Sequence, residues 1–89
     1  MRIENVPEKA QKKAAGGTWM EFWEGHAKKK ATKCSVIGCE TPADLGAQVF
    51  KPSFGMTTVY IVPLCKAHSE KVKEPMDVAE SVTLVLAKK

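Results

Sequence analysis

The clearest periodicity in the chain lies between residues 18 and 26. Trp19, Phe22, Trp23 and His26 stand at i, i+3, i+4 and i+7 and so share one stripe of a helix. Thr18-Trp-Met-Glu21 reads as a capping box, with Thr18 as N-cap and Glu21 as the third helical residue. Gly25 weakens the far end, and Lys28, Lys29 and Lys30 suit a helix C-terminus. Two strand-like runs follow, at 47–51 and 57–62. The second is rich in β-branched residues and Tyr60, and Pro63 is expected to stop it. Pro52-Ser-Phe-Gly-Met between them suits a hairpin loop of moderate length. Residues 66–73 read as a short helix ended by Pro75, and 81–87 as a further strand that joins the hairpin or covers its edge.

The segment 1–17 has a different character. Pro7, a lysine-rich middle and Gly16-Gly17 leave little apolar surface, although 8–15 is compatible with a helix. The expected organisation is a frayed or flexible basic arm over 1–17, followed by one domain over 18–89. With 89 residues, 44% of them hydrophobic and 27% charged, the chain has the composition of a small soluble globular domain. Domains this short bury a limited share of their surface and often need a metal or disulfide staple. No apolar run approaches the roughly 18 residues of a membrane span. The first residues lack the apolar core of a signal peptide, so a reducing, cytoplasmic setting is expected.

Charge changes the picture through its distribution. Residues 1–33 hold eight Lys/Arg against four acids, and residues 34–89 hold six against six. The net charge of +4 therefore lies wholly in the first third, with Lys28, Lys29, Lys30 and Lys33 at its dense end. Such a patch attracts phosphates, which marks these four as candidate nucleic-acid contacts, or as contacts to an acidic protein. A solvated lysine face is the plainer alternative.

The chemistry concentrates between Cys34 and His68. Cys34 and Cys39 form one close pair, 25 residues follow, and Cys65 and His68 form a second pair at i and i+3. If a helix opens at Cys65, its first turn brings both side chains to one face. Gly38 can supply the tight turn that a metal-gripping knuckle needs. Cys34, Cys39, Cys65 and His68 thus make a candidate Cys₃His site for one structural Zn²⁺. Three cysteines cannot all pair within one chain, which argues against a disulfide framework, while unmetallated buried thiols are the plain alternative. Lys33 and Lys66 each adjoin a ligand and are placed to offset its charge. His26 reads as a packed, hydrogen-bonded residue of the aromatic stripe rather than a ligand or catalytic base.

Knuckle, hairpin, then a helix bearing the second ligand pair is the order of a treble-clef zinc module. A two-Cys two-His finger separates its pairs by about 12–15 residues, fewer than here. The expected fold class is α+β: a small zinc-binding treble clef with an N-terminal amphipathic helix and a C-terminal strand. No internal repeat, Gly-rich phosphate loop or nucleophile elbow is present.

Cys34-x₄-Cys39, Ala43-Asp-Leu-Gly-Ala-Gln-Val49 and Tyr60-Ile-Val-Pro-Leu-Cys-Lys-Ala-His-Ser69 together resemble the zinc-stapled HNH, or ββα-metal, endonuclease superfamily. The resemblance covers roughly residues 34–70. It implies a structural zinc held by Cys34, Cys39, Cys65 and His68, and a separate catalytic metal used to cut DNA or RNA. Where relatives carry the catalytic His, this chain has Gln48; the preceding position is Ala47, and the position after the last zinc ligand is Ser69. A nuclease of this type needs a base for water and a divalent ion for the phosphorane charge. Gln48, Ala47 and Ser69 supply neither, so no catalytic residue is assigned. The expected function is a non-catalytic zinc module binding nucleic acid or an acidic protein. A divergent nuclease using Asp44, His26 or Gln48 is one alternative. A protein-interaction domain using Phe50, Phe54, Met56 and the strand at 82–86 is another.

Overall fold

The centre of the molecule is an antiparallel hairpin of β2 (Leu45–Phe50) and β3 (Tyr60–Leu64), in which Leu45 pairs with Leu64 and Val49 with Tyr60. A computed structural model describes residues 2–6, 18–52, 58–70, 75–79 and 82–87 of the chain. Among these, β1 (Arg2–Asn5), β4 (Met76–Asp77) and β5 (Val85–Leu86) extend the hairpin to an antiparallel five-stranded sheet, in the order β4-β1-β2-β3-β5. One nine-residue helix, α1 (Trp19–Ala27), and one turn of helix, α2 (Lys66–Ser69), complete the α+β arrangement.

Both faces of the central hairpin are covered, because successive side chains of a strand point to opposite sides. Ala47, Val49, Val62 and Leu64 join Ile3, Met76, Val78, Cys34 and Cys65 in one buried cluster. Ile61 packs on the opposite face with Trp23 and Val85, flanked by half-buried Trp19 and Phe22. The sheet is therefore sandwiched between α1 and the cysteine-bearing loop. Gly46 is where β2 meets α1: a Cβ there would lie 2.6 Å from both the Met20 nitrogen and the Trp19 carbonyl carbon. Only glycine permits that approach.

Helix α1 starts as its sequence requires. The Glu21 N–H donates to Thr18 Oγ1 at 3.2 Å, and the Thr18 N–H donates to Glu21 Oε1 at 3.0 Å. Trp23 is buried and its indole N–H donates to the Thr83 carbonyl at 2.8 Å. His26 lies at the solvent end of the stripe. It is exposed, stacks on Phe22 with ring centroids 4.3 Å apart, and donates from Nδ1 to the Phe22 carbonyl at 3.1 Å.

Four expectations need correction. Residues 2–6 belong to the sheet rather than to an arm: β1 lies between β4 and β2, Ile3 is fully buried, and the Val6 N–H donates to Gln48 at 2.9 Å. The strand state of so short a segment comes from partners more than 40 positions away, which no local pattern reveals. Residues 7–17 lie outside the described residues. Pro63 does not stop β3 but sits within it, opposite Gly46. A strand residue's N–H and C=O point to the same side. The Pro63 carbonyl accepts from the Ser35 N–H at 3.0 Å, and β5 pairs only with Tyr60 and Ile61. Proline's missing N–H therefore falls where no ladder partner exists. Phe50 is buried rather than exposed, while Phe54 and Met56 lie outside the described residues. Finally, β5 is shorter than the 81–87 run, and α2 ends at Ser69, with 71–74 outside the described residues.

Candidate metal centre

Two local structures bring the four candidate ligands together. The first is the loop around Cys34 and Cys39. Its base is closed by the Cys34 N–H donating to the Thr41 carbonyl at 2.9 Å and by the Lys33–Pro42 bridge. Its tip is a tight turn in which the Cys39 N–H donates to the Val36 carbonyl at 3.0 Å, with Gly38 at φ +86°. That positive φ is the conformation for which glycine was singled out. The Ile37 N–H donates to the Asp77 carbonyl at 2.9 Å and Val36 bridges Val78, so β4 holds the loop from outside the hairpin.

The second structure is α2. Cys65 is its N-cap, with extended φ and ψ of −73° and 162°, and His68 is the third residue in. Side chains at N-cap and N3 face one another across the first turn. Here Cys65 Sγ lies 3.2 Å from His68 Nδ1. Asp44, at the entry to β2, accepts the Lys66 N–H on Oδ2 at 2.9 Å, satisfying a donor that a helix start leaves open. Asn5 is buried at 2% exposure and donates from Nδ2 to the His68 carbonyl at 2.7 Å. Strand β1 thereby anchors the ligand-bearing turn. Residues 22 and 63 positions from their partners give no local signal, and neither Asp44 nor Asn5 was predicted in these roles.

The outcome is a compact Cys₃His group. Cys34 Sγ is 3.5 Å from His68 Nδ1, Cys39 Sγ is 4.0 Å from Cys65 Sγ, and all four ligand atoms lie within 4.8 Å of one another. The three cysteines are free thiols. Cys34 and Cys65 are buried, whereas Cys39 and His68 are half-buried and form the outer side. Burial pushes the Cys34 thiol up to about 11 from its ordinary 9.0. A backbone hydrogen bond from Thr41 holds the Cys39 thiol below that ordinary value. Metal binding in such a group displaces protons from its thiols. These four residues could hold one metal ion.

The other candidates separate. Ala47 and Gln48 are buried in β2, and Ser69 Oγ donates to the Lys66 carbonyl at 2.7 Å inside α2. The four candidate lysines are all exposed but not equivalent. Lys28 ends α1 in the left-handed conformation at φ 59°. Lys33 is ion-paired to Glu40 at 3.2 Å, so its charge goes there rather than to the adjacent thiols. Lys29, Lys30 and Lys33 line one cleft, from which Lys28 is absent. Among the described residues no helix is long and apolar enough to cross a membrane. Comparison with known protein families, with curated proteins and with solved structures finds no match.

Proposed function

We propose that the chain is a zinc-stapled binding module of treble-clef, HNH-like architecture, without nuclease groups, that binds nucleic acid through its basic 28–33 segment. The observation that carries the zinc reading is the Cys₃His group itself. A tetrahedral Zn²⁺ with Zn–S near 2.3 Å and Zn–N near 2.0–2.1 Å separates its ligand atoms by about 3.5–3.8 Å. The spacings of 3.2, 3.5 and 4.0 Å among Cys34, Cys39, Cys65 and His68 bracket that range. Three sulfurs and one imidazole are also a donor set that zinc takes in structural sites, where no open position is left for substrate. The ion would supply cross-linking between the knuckle and α2, and no chemistry on a bound molecule.

The absence of nuclease groups is supported by what stands at the relevant positions. Ala47 has no ligand atom, and buried Gln48 has no basic lone pair. The Asp44 carboxylate caps α2, and His26 stacks on Phe22. The nucleic-acid reading is supported by the unbalanced charge of residues 1–33 and by the exposure of Lys28, Lys29 and Lys30.

Three measurements test the proposal. Native mass spectrometry should show one zinc per chain, and an intact fold without added mass would reject the staple. Oligonucleotide affinity should fall steeply with salt, and a flat response would reject phosphate contact in favour of another partner. Plasmid nicking with Mg²⁺, Mn²⁺ or Ni²⁺ should not occur; metal-dependent cleavage lost in His26→Ala would establish a nuclease instead.

A further inference from the structure

We propose that the cleft between Trp23 of α1, the 29–33 segment and the 82–83 segment is a phosphate subsite that seats one backbone phosphate of a nucleic-acid strand. The proposal rests on the nucleic-acid reading above and adds to it a location and a ligand group.

The cleft has a volume of about 250 Å³, and Trp23, Lys29, Lys30, Lys33, Ser35 and Thr83 are among the residues lining it. Sites for drug-sized molecules run to about 300–1,000 Å³, so this one suits a smaller group such as a phosphate with its sugar. Among the described residues no carboxylate lines it. Lys33 is balanced by Glu40, but Lys29 and Lys30 have no carboxylate partner among the described residues. The Glu24 carboxylate, on α1, accepts the Ala31 N–H at 3.0 Å and is not itself part of the lining. Among the described residues, Lys29 and Lys30 therefore bring two positive charges without an ion-pair partner to the lining of one small concavity.

Base stacking is disfavoured in the same place. Trp23 is 5% exposed, and its N–H is held by the Thr83 carbonyl, so it leaves little ring surface on which a base could stack. The walls are already set. Ala31 is held by Glu24, Thr32 accepts the Ala43 N–H at 3.1 Å, and Ser35 donates to Pro63 at 3.0 Å. Little ordering remains except in the lysine side chains, which lowers the entropic cost of seating an anion. Lysine suits this role as a compact point charge on a flexible stem.

The test uses the metal-loaded full chain and a fluorescein-labelled single-stranded oligonucleotide, with anisotropy recorded across a salt series. The double variant Lys29→Ala/Lys30→Ala should weaken binding equally on unrelated sequences. It should also lower the slope of log K against log salt by about 1, the signature of one lost phosphate contact. Lys28→Ala, outside the cleft, should weaken binding less and lower the slope less than the double variant. Amide shifts on oligonucleotide binding should centre on Ala31, Thr32, Ser35 and Thr83. All three lysines are exposed, so the variants should fold, which circular dichroism checks directly. If the wild type binds but Lys28→Ala costs as much as the double variant, the contacts are diffuse and the subsite is refuted while nucleic-acid binding stands. A slope loss near 2, or amide shifts elsewhere, refutes it in the same way. If the wild type shows no salt-dependent binding, the nucleic-acid reading fails and the subsite with it.

Discussion

Adding one methyl group should move stability in opposite directions at two glycines. At Gly46 the new Cβ would meet the Met20 nitrogen and Trp19 carbonyl carbon at 2.6 Å and the Trp19 oxygen at 2.8 Å. Unstrained carbon contacts need about 3.5–4.0 Å, so roughly 1 Å of movement is required. All three atoms are backbone and cannot rotate away. The first turn of α1 must lift from β2, loosening Trp19 and the buried Trp23. Overpacking of this kind costs about 1–3 kcal/mol, partly offset by about 0.4–1 kcal/mol from a less flexible unfolded chain. A net loss of about 1–2 kcal/mol lowers the melting temperature of a domain this size by roughly 4–16 °C. Gly25, exposed in the last part of α1, has nothing within 4 Å of the added Cβ. Gly25→Ala should therefore gain about 0.4–1 kcal/mol and melt a few degrees higher. Thermal unfolding by circular dichroism, at one fixed free-metal concentration, reads both shifts. A Gly46→Ala protein that melts at or above wild type would refute the close packing of α1 on β2.

Three further outcomes follow from the site. On the proposed zinc reading, Cys39→Ser or a strong chelator should abolish the folded far-UV spectrum, because structural zinc sites contribute about 10–16 kcal/mol against a typical net stability of 5–15 kcal/mol. Retained secondary structure without metal would contradict this. Asn5→Ala should cost about 1–3 kcal/mol, read as a lower urea midpoint, since the buried link from β1 to the His68 carbonyl is lost. An unchanged midpoint would remove Asn5 from its anchoring role. Metal affinity should rise with pH. Cys34, pushed up to about 11 by burial, keeps its proton at neutral pH, so an incoming ion must displace it. Each unit of acidification then strengthens the competing proton, and the benefit of raising pH persists toward about 11. Competition titrations with a chelator between pH 6.5 and 8.5 check the sign; a flat profile would overturn it.

What the sequence alone determined was local in origin. The Thr18–Glu21 capping box, the left-handed turn at Gly38 and the pairing of Cys65 with His68 each depend on residues within four positions of one another. Spacing that short leaves the backbone few ways to arrange its side chains, so pattern and geometry agree. The two candidate pairs, Cys34 with Cys39 and Cys65 with His68, were legible from their short spacings, whereas their meeting within 4.8 Å was decided by the fold. Tertiary structure decided everything that needed a distant partner. Arg2–Asn5 became an interior strand because 49–50 and 76–77 flank it, and Pro63 was tolerated because β5 ends before reaching it. Asp44 and Asn5 gained their roles by meeting α2 across 22 and 63 positions. The four lysines, close in sequence, were divided by the left-handed turn at Lys28 and the ion pair at Lys33. Hydrogen bonds and charges act over a few ångströms of space, and only the folded chain specifies which groups come within that reach.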